Sequence, residues 1–442
     1  MRRFAELESI APGIHRVKSV FRTDMPAISP DIVAPPADKS DAEVLSSIVF
    51  NGRWMPRAAI ENDRKTRPRI APGEVLWYGV TNSLTGYGKA NREILLRLKN
   101  SRKTRFFRHP HDMACYFDPA MQAIFQALEK VPISAGAPFV RLLTPSAEME
   151  RRYRICYSMM ETRRIHPDFI SRLNTFYDEF WVPTAWYRNV FVECGLKIRC
   201  EVMPLGVNPL VFLPRRSDAI PPCRLLSTGR AGAEESPGGF LFLSIYQPIF
   251  RKGTDVLLAA FEQAFAGDPD AALILGSTCH PPGDIPQLAR GKRSRIYMLS
   301  GEFTEQGLSR LYNSIHAYVC ASRGEGWNLP ALEAGACEKP LILPWNTSHI
   351  DIVNDSLAYV FHPDGEIAYP GAANHCPWYE NQKFSHFGPK AISKLAELMQ
   401  AVKRDYGSAL STARRFRQKI LSEYTWDHAV SRIVKRLDEL SP

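Results

Sequence analysis

Residues 322–336 read Ser-Arg-Gly-Glu-Gly-Trp-Asn-Leu-Pro-Ala-Leu-Glu-Ala-Gly-Ala, and the class of the chain follows from them. The short apolar run before them, 317–321, has the character of a buried parallel strand, and the alanine-rich run after Asn328 lacks β-branched residues and predicts a helix. Between the two, Gly324 and Gly326 allow a tight turn, Asn328 suits an N-cap, and Pro330 falls in the first turn, where its missing N–H costs nothing. Strand, glycine loop and helix in that order define an α/β protein. They also aim backbone N–H groups and the positive end of a helix dipole at whatever lies above the sheet. Such a place suits an anion, and a diphosphate fits it. Glu325 and Glu333 flank it. At about 100° per residue their spacing does not put them on one helical face, so they address two ends of a ligand.

Residues 325–333 resemble the E-x7-E motif of the family 4 retaining glycosyltransferases (glycosyl transferases group 1), whose GT-B fold sets two Rossmann-like domains across a cleft. The usual pattern is E-G-[FW]-G-[LI]-P-x-[LV]-E, and Asn328 takes the place of its middle glycine. Three earlier segments resemble the same family in order: Tyr157-Ser-Met-Met-Glu161 (Y-x-M-x-E there), 178–184 (D-E-x-W-V-P-[ST]) and 202–208 (V-x-P-x-G-V-[DN]).

The 442 residues suit two domains of ordinary size, and 45% apolar with 23% charged residues excludes a disordered chain. No long apolar run predicts a membrane span, and residues 1–8 carry no apolar signal core, which points to a cytoplasmic protein. Nine scattered cysteines without a C-x-x-C pair are expected as reduced thiols rather than a zinc site. Within a net charge of +10, the run Arg97, Lys99, Arg102, Lys103, Arg105 and Arg108 contains no acid. It is read either as a solvated basic surface or as a peripheral contact with anionic membrane or a phosphate-bearing acceptor. No aromatic residues interleave as a stacking platform, so nucleic acid is not expected.

Residues 1–72, frequent in Pro, Asp, Lys and Arg, form an N-terminal extension of unknown role, with 44–50 as a local apolar element. A strand over 75–79 leads through a polar loop to Gly86-Tyr87-Gly88, which opens a helix through Leu98. Glycines at such a turn let a ligand approach the backbone. His109-Pro-His111-Asp112 is read as loop packing rather than a metal cluster, with His111 kept as a candidate first-domain site residue. The run 154–161 predicts a strand ending on Glu161, and 178–184 another, with Thr184 capping the helix after it. Residues 214–239, rich in Pro, Gly, Ser and Arg, read as a linker. Beyond it come a strand over 240–245, a loop carrying Arg251-Lys252-Gly253, and a helix over 254–265. Further strands are expected at 272–276, 295–299 and 341–344, with a helix at 304–314. Asp268-Pro-Asp270 lies in a helix-to-strand turn, where it is turn chemistry and not a metal–diphosphate signature. After an irregular stretch over 363–389 come helices at 391–404 and 409–423, and Thr425-Trp426 precedes a final helix to Leu440.

The domains that the resemblance implies are 73–213 for acceptor, 214–239 as linker, 240–415 for nucleotide-sugar and 416–442 as a helix crossing back to the first domain, with Trp426 as its anchor. The resemblance implies a retaining, metal-independent transfer from a nucleotide-diphosphate sugar to a glycan or lipid-linked acceptor, with no cofactor. It implies Glu325 at the sugar ring, Glu333 on ribose hydroxyls, and Lys252 with the amides of Gly326, Trp327, Asn328 and Leu329 on the diphosphate. Gly86 and Gly88 would face the donor, and Glu161 stands as a further catalytic carboxylate. The family's usual arginine five residues before the lysine is Gln247 here, so Arg251 is the candidate second cation. Two rival readings remain: a sugar-nucleotide epimerase of the same fold, and a catalytically inactive binding or scaffold relative.

Overall fold

The computed structural model describes residues 6–11, 14–19, 47–50, 53–83, 85–110, 112, 118–146, 151–216, 220–227, 231–278, 284–371 and 376–441. Two parallel sheets carry the fold. The first runs, in spatial order, Arg199–Val202, Glu179–Val182, Arg154–Tyr157, Phe139–Leu142, Glu74–Gly79 and Lys103–Arg108. The chain enters at Glu74–Gly79, steps to one side through the helix Gly86–Ser101, then returns to build the other side. That reversal opens a crevice at the carboxyl ends of the strands beside Glu74–Gly79.

The second sheet repeats the plan. Phe240–Tyr246 lies between Ala271–Thr278 and Ala317–Val319, with Arg295–Phe303 beyond the former and Leu341–Pro344, then Tyr359–Phe361, beyond the latter. Its reversal point lies between Phe240–Tyr246 and Ala317–Val319, the two strands whose following loops carry residues 247–253 and 322–328. Near-continuous burial along these strands reflects helices on both faces, which is why they read as plain apolar runs.

The expected linker carries structure. Cys223–Leu225 and Glu234–Glu235 form an antiparallel hairpin that adds to Arg295–Phe303. Cys223 and Leu225 are buried while Arg224 is exposed, an alternation too short to register among so many prolines and glycines. The described parts of the extension are likewise built in. The hairpin Glu6–Ala11/Ile14–Ser19 pairs with the end of Arg295–Phe303, and Ser47–Phe50 pairs with Arg53–Pro56. The helix Arg57–Thr66 follows, and Arg64 donates to the Tyr177 carbonyl at 2.8 Å while Arg67 pairs with Asp178. The irregular stretch after Pro363 holds a hairpin, Gly365–Ala368 with Lys383–His386, and a 3-10 turn Pro377–Tyr379.

The last helix, Trp426–Glu439, packs on Gly86–Ser101 of the first domain. Trp426 is fully buried, and Arg436 grips the buried Glu179 carboxylate at 2.8 and 2.9 Å. One apolar cluster runs from Val75 and Ile94 through Trp426 and Ile433 to Leu332 and Leu343, so the two domains share a core. Part of the basic run is taken up by ion pairs, while Lys99, Lys103 and Arg105 stay exposed. Arg97 pairs with Glu93 and Asp427, Arg102 with Asp438, Lys103 with Glu74, and Arg108 with Glu129 and Asp112. Asp268 closes its turn by accepting the Asp270 N–H at 2.8 Å, and Lys403 neutralises it at 2.6 Å. Of the seven described cysteines, Cys156, Cys223, Cys320 and Cys337 are buried. Among the described residues no helix is long and apolar enough to cross a membrane.

Candidate active site

The two loops at the second sheet's reversal point meet. Gln247 ends on the strand side, its carbonyl accepting the Ile249 N–H at 2.8 Å, and the 3-10 turn Phe250–Lys252 delivers two cations. Lys252 Nζ lies 2.6 Å from Glu325 Oε1, and Arg251 Nη1 lies 3.0 Å from Glu325 Oε2. Arg251 also donates to the Gly324 carbonyl at 2.9 Å, and Arg323 N–H and Ser322 Oγ return bonds to the Arg251 carbonyl at 2.7 and 3.2 Å. The loops are thereby one unit. Burial alone raises the Glu325 carboxyl, but Lys252 and Arg251 outweigh it and bring the pKa down to about 2. Glu325 is thus a carboxylate at neutral pH, suited to steady charge or hold hydroxyls rather than to give up a proton.

Asn328 explains its own departure from the glycine pattern. Its backbone is left-handed at φ 70°, a region where glycine is free and asparagine is the best tolerated substitute. Its side chain then accepts the Ala331 N–H at 3.3 Å, capping the helix Leu329–Ala336. The Asn328 amide faces His349 Nε2 at 2.9 Å, and His349 Nδ1 lies 3.1 Å from the Pro344 carbonyl. A carbonyl only accepts, so Nδ1 donates and Nε2 accepts from Asn328. Burial pushes His349 down to about 4, which keeps this ring neutral. Thr347 adds a second support, its Oγ1 accepting the Glu325 N–H at 3.0 Å from a backbone at φ 44°.

The first domain lies directly on this loop. The strand expected through 161 stops at Tyr157, and Glu161 sits in the loop beyond it, because Met159 N–H turns to the Tyr87 hydroxyl at 3.3 Å. Arg251 Nη2 lies 3.7 Å from Glu161, and the Tyr379 hydroxyl donates to the same carboxylate at 2.8 Å. A Cβ on Gly324 would stand 1.8 Å from the Glu161 carbonyl, and one on Gly326 would stand 2.5 Å from Met159, so only glycine permits this approach. Glu333 is buried on the helix Leu329–Ala336, with Lys89 of the first domain 2.5 Å from Oε1 and the Tyr312 hydroxyl 3.1 Å from Oε2.

Glu325, Lys252, Arg251 and Glu161 therefore form one cluster, with Glu333 at the far side of the capped helix start. Gly86 faces Leu329, 3.8 Å from where its Cβ would lie. A Cβ on Gly88 would stand 2.1 Å from the Ser83 carbonyl, so only glycine fits at that turn. Trp327 turns away into the core, edge-on to Tyr424 at 5.4 Å. In the His109–Asp112 motif, Asp112 accepts the Thr81 and Asn82 N–H groups at 2.8 and 2.9 Å and His109 packs against Tyr78, while His111 lies outside the described residues. Sequence reasoning missed Lys89, Thr347, His349 and Tyr379. Lys89 alone left a signal, because a cation near a helix N-terminus opposes the dipole and calls for an acidic partner.

Residues 238–368, which include both site loops, match the family model described as Glycosyl transferases group 1. Over 83% of this chain and 99% of the other, the structure superposes with a TM-score of 0.58 and 11% identity on HepE of Anabaena in complex with UDP and glucose. The fold is GT-B. A second GT-B neighbour is sucrose-phosphate synthase from Thermosynechococcus elongatus, at a TM-score of 0.57 and 13% identity, with 83% of this chain and 99% of that one covered. A curated relative, D-inositol 3-phosphate glycosyltransferase of Segniliparus rotundus, is 27% identical over 150 residues, which are 33% of this chain and 31% of that relative. The GT-B likeness places the cleft; the chemistry rests on the residues in it.

Proposed function

We propose that this chain is a retaining, metal-independent glycosyltransferase that moves a sugar from a nucleotide-diphosphate sugar to a glycan or glycolipid acceptor. The observation that carries the reading is the convergence of Lys252, Arg251 and Glu325 at the second sheet's reversal point, beside a capped helix N-terminus. The family match over these loops supports it, as do the UDP and glucose held by HepE. Lys252 and Arg251 bind the diphosphate and offset the charge that grows on the departing phosphate; Lys Nζ keeps further protons for it beside its bond to Glu325. Glu325 steadies the sugar ring near the anomeric carbon, and Glu333 takes the ribose hydroxyls. The acceptor approaches from the first domain, past Glu161, on the face of the anomeric carbon from which the diphosphate leaves, and the departing phosphate takes the acceptor's proton. Arg251 supplies the guanidinium that Gln247 does not.

The test is thermal stabilisation against a panel of nucleoside diphosphates and their sugars, repeated in EDTA and on Glu333→Ala. A shift with one nucleotide, kept in EDTA and reduced in the variant, is expected. A shift abolished by EDTA overturns metal independence. A flat panel at millimolar ligand overturns donor binding and leaves the scaffold reading. With the donor known, the anomeric configuration of the product decides retention, and turnover without acceptor would mark an epimerase.

A further inference from the structure

Lys89 is the fourth residue of the helix Gly86–Ser101, in the first domain, yet among the described residues the acids outside that helix that neutralise it at close range, Glu333 and Glu305, belong to the second. Its Nζ lies 2.5 Å from Glu333 Oε1 and 3.1 Å from Glu305 Oε1, with the Phe212 ring 4.4 Å away. Glu333 is buried and its other oxygen accepts from the Tyr312 hydroxyl at 3.1 Å. Both oxygens of the carboxylate assigned to the ribose are therefore engaged by the protein's own donors. Each of these oxygens can accept a second hydrogen bond, but Glu333 is only 2% exposed, so ribose hydroxyls and Lys89 compete for the little of this carboxylate that is open. A second seat is ready, because Glu305 already touches Nζ and is the more exposed of the two acids.

We infer that Lys89 is an interdomain latch on the nucleotide site: it holds Glu333 across the cleft and moves onto Glu305 when ribose hydroxyls take its place. The inference rests on the reading of Glu333 as the ribose carboxylate and adds a regulation to that site. Nucleotide binding and the choice of seat by Lys89, Glu333 or Glu305, are then one equilibrium: whatever favours Lys89 on Glu305 favours the ribose on Glu333, and the reverse. Lys89 acts here as a positioning residue.

The readout is the worth of the ribose hydroxyls, taken as the ratio of the dissociation constants of 2′,3′-dideoxy-UDP and UDP, by calorimetry on the full chain. Any effect of Lys89 on the diphosphate cancels in that ratio. Lys89→Met keeps the stem and removes the competitor, so the ratio should rise on the order of tenfold. Glu305→Gln removes the second seat, leaves Lys89 on Glu333, and should lower the ratio; this variant carries the test if Lys89→Met does not fold. Where UDP is silent, ADP and GDP are run with their dideoxy counterparts. Binding with a ratio unmoved in both variants overturns the latch and leaves donor binding standing. Failure of every diphosphate to bind the wild-type chain overturns the latch and the donor reading together.

Discussion

Replacing Asn328 separates two contributions that meet at one residue. In Asn328→Ala the left-handed backbone, φ 70°, becomes strained at a cost of roughly 1–2 kcal/mol. Loss of the cap to Ala331 N–H costs about 1 kcal/mol more, and the buried His349 Nε2 left without its donor adds roughly 1–3 kcal/mol. These act on one place and do not simply add; about 3 kcal/mol is the expected loss. Asn328→Gly loses the same His349 bond but keeps the backbone at ease, and glycine gives up only a few tenths as a cap, so roughly 2 kcal/mol is expected. The gap between alanine and glycine therefore isolates the backbone term. Urea unfolding of the wild type and both variants measures it directly. Alanine proving as stable as glycine would refute the claim that this position demands a left-handed residue.

Two further outcomes can be checked on the same protein. His349 stays neutral down to about 4 when folded but titrates near 6.5 when unfolded, so the unfolded chain binds more protons between those values and stability falls as pH drops through them. Between pH 7 and 5, above the range where Glu325 titrates, His349→Gln should lose roughly 2 kcal/mol less than the wild type, and parallel unfolding profiles would count against it. Arg436→Met strands the buried Glu179 carboxylate, which still holds Trp181 Nε1 at 2.7 Å, and should cost roughly 3–5 kcal/mol in unfolding experiments. A loss below about 1 kcal/mol would show that water reaches Glu179.

The second domain was legible because its apolar runs are bounded by glycines and prolines. The helix Thr254–Phe265 and the strand Leu341–Pro344 lie where the sequence puts them. The capping role of Asn328 was readable too, since a cap is a local event; its left-handed backbone was not, since φ leaves no mark on residue type beyond a tolerance for asparagine. What escaped was non-local. Lys89 and Glu333 stand 244 positions apart, and Tyr379 reaches Glu161 across 218, so no window of sequence contains either pair. The short hairpins at Cys223–Leu225 and Gly365–Ala368 escaped for another reason: three or four residues do not establish a period.

The path of the chain between the two sheets bears on how the molecule is made. Its first described hairpin adds to the second sheet, its body then builds the first, and its last helix returns to cover Gly86–Ser101 and clasp Glu179. During synthesis the first domain emerges with that face bare, and the apolar surface around Ile94 and Leu98 stays open until Ile433 and Leu437 leave the ribosome. The first domain's surface is thus closed by a contact between Glu179 and Arg436, 257 positions apart, and long-range closures of this kind slow folding.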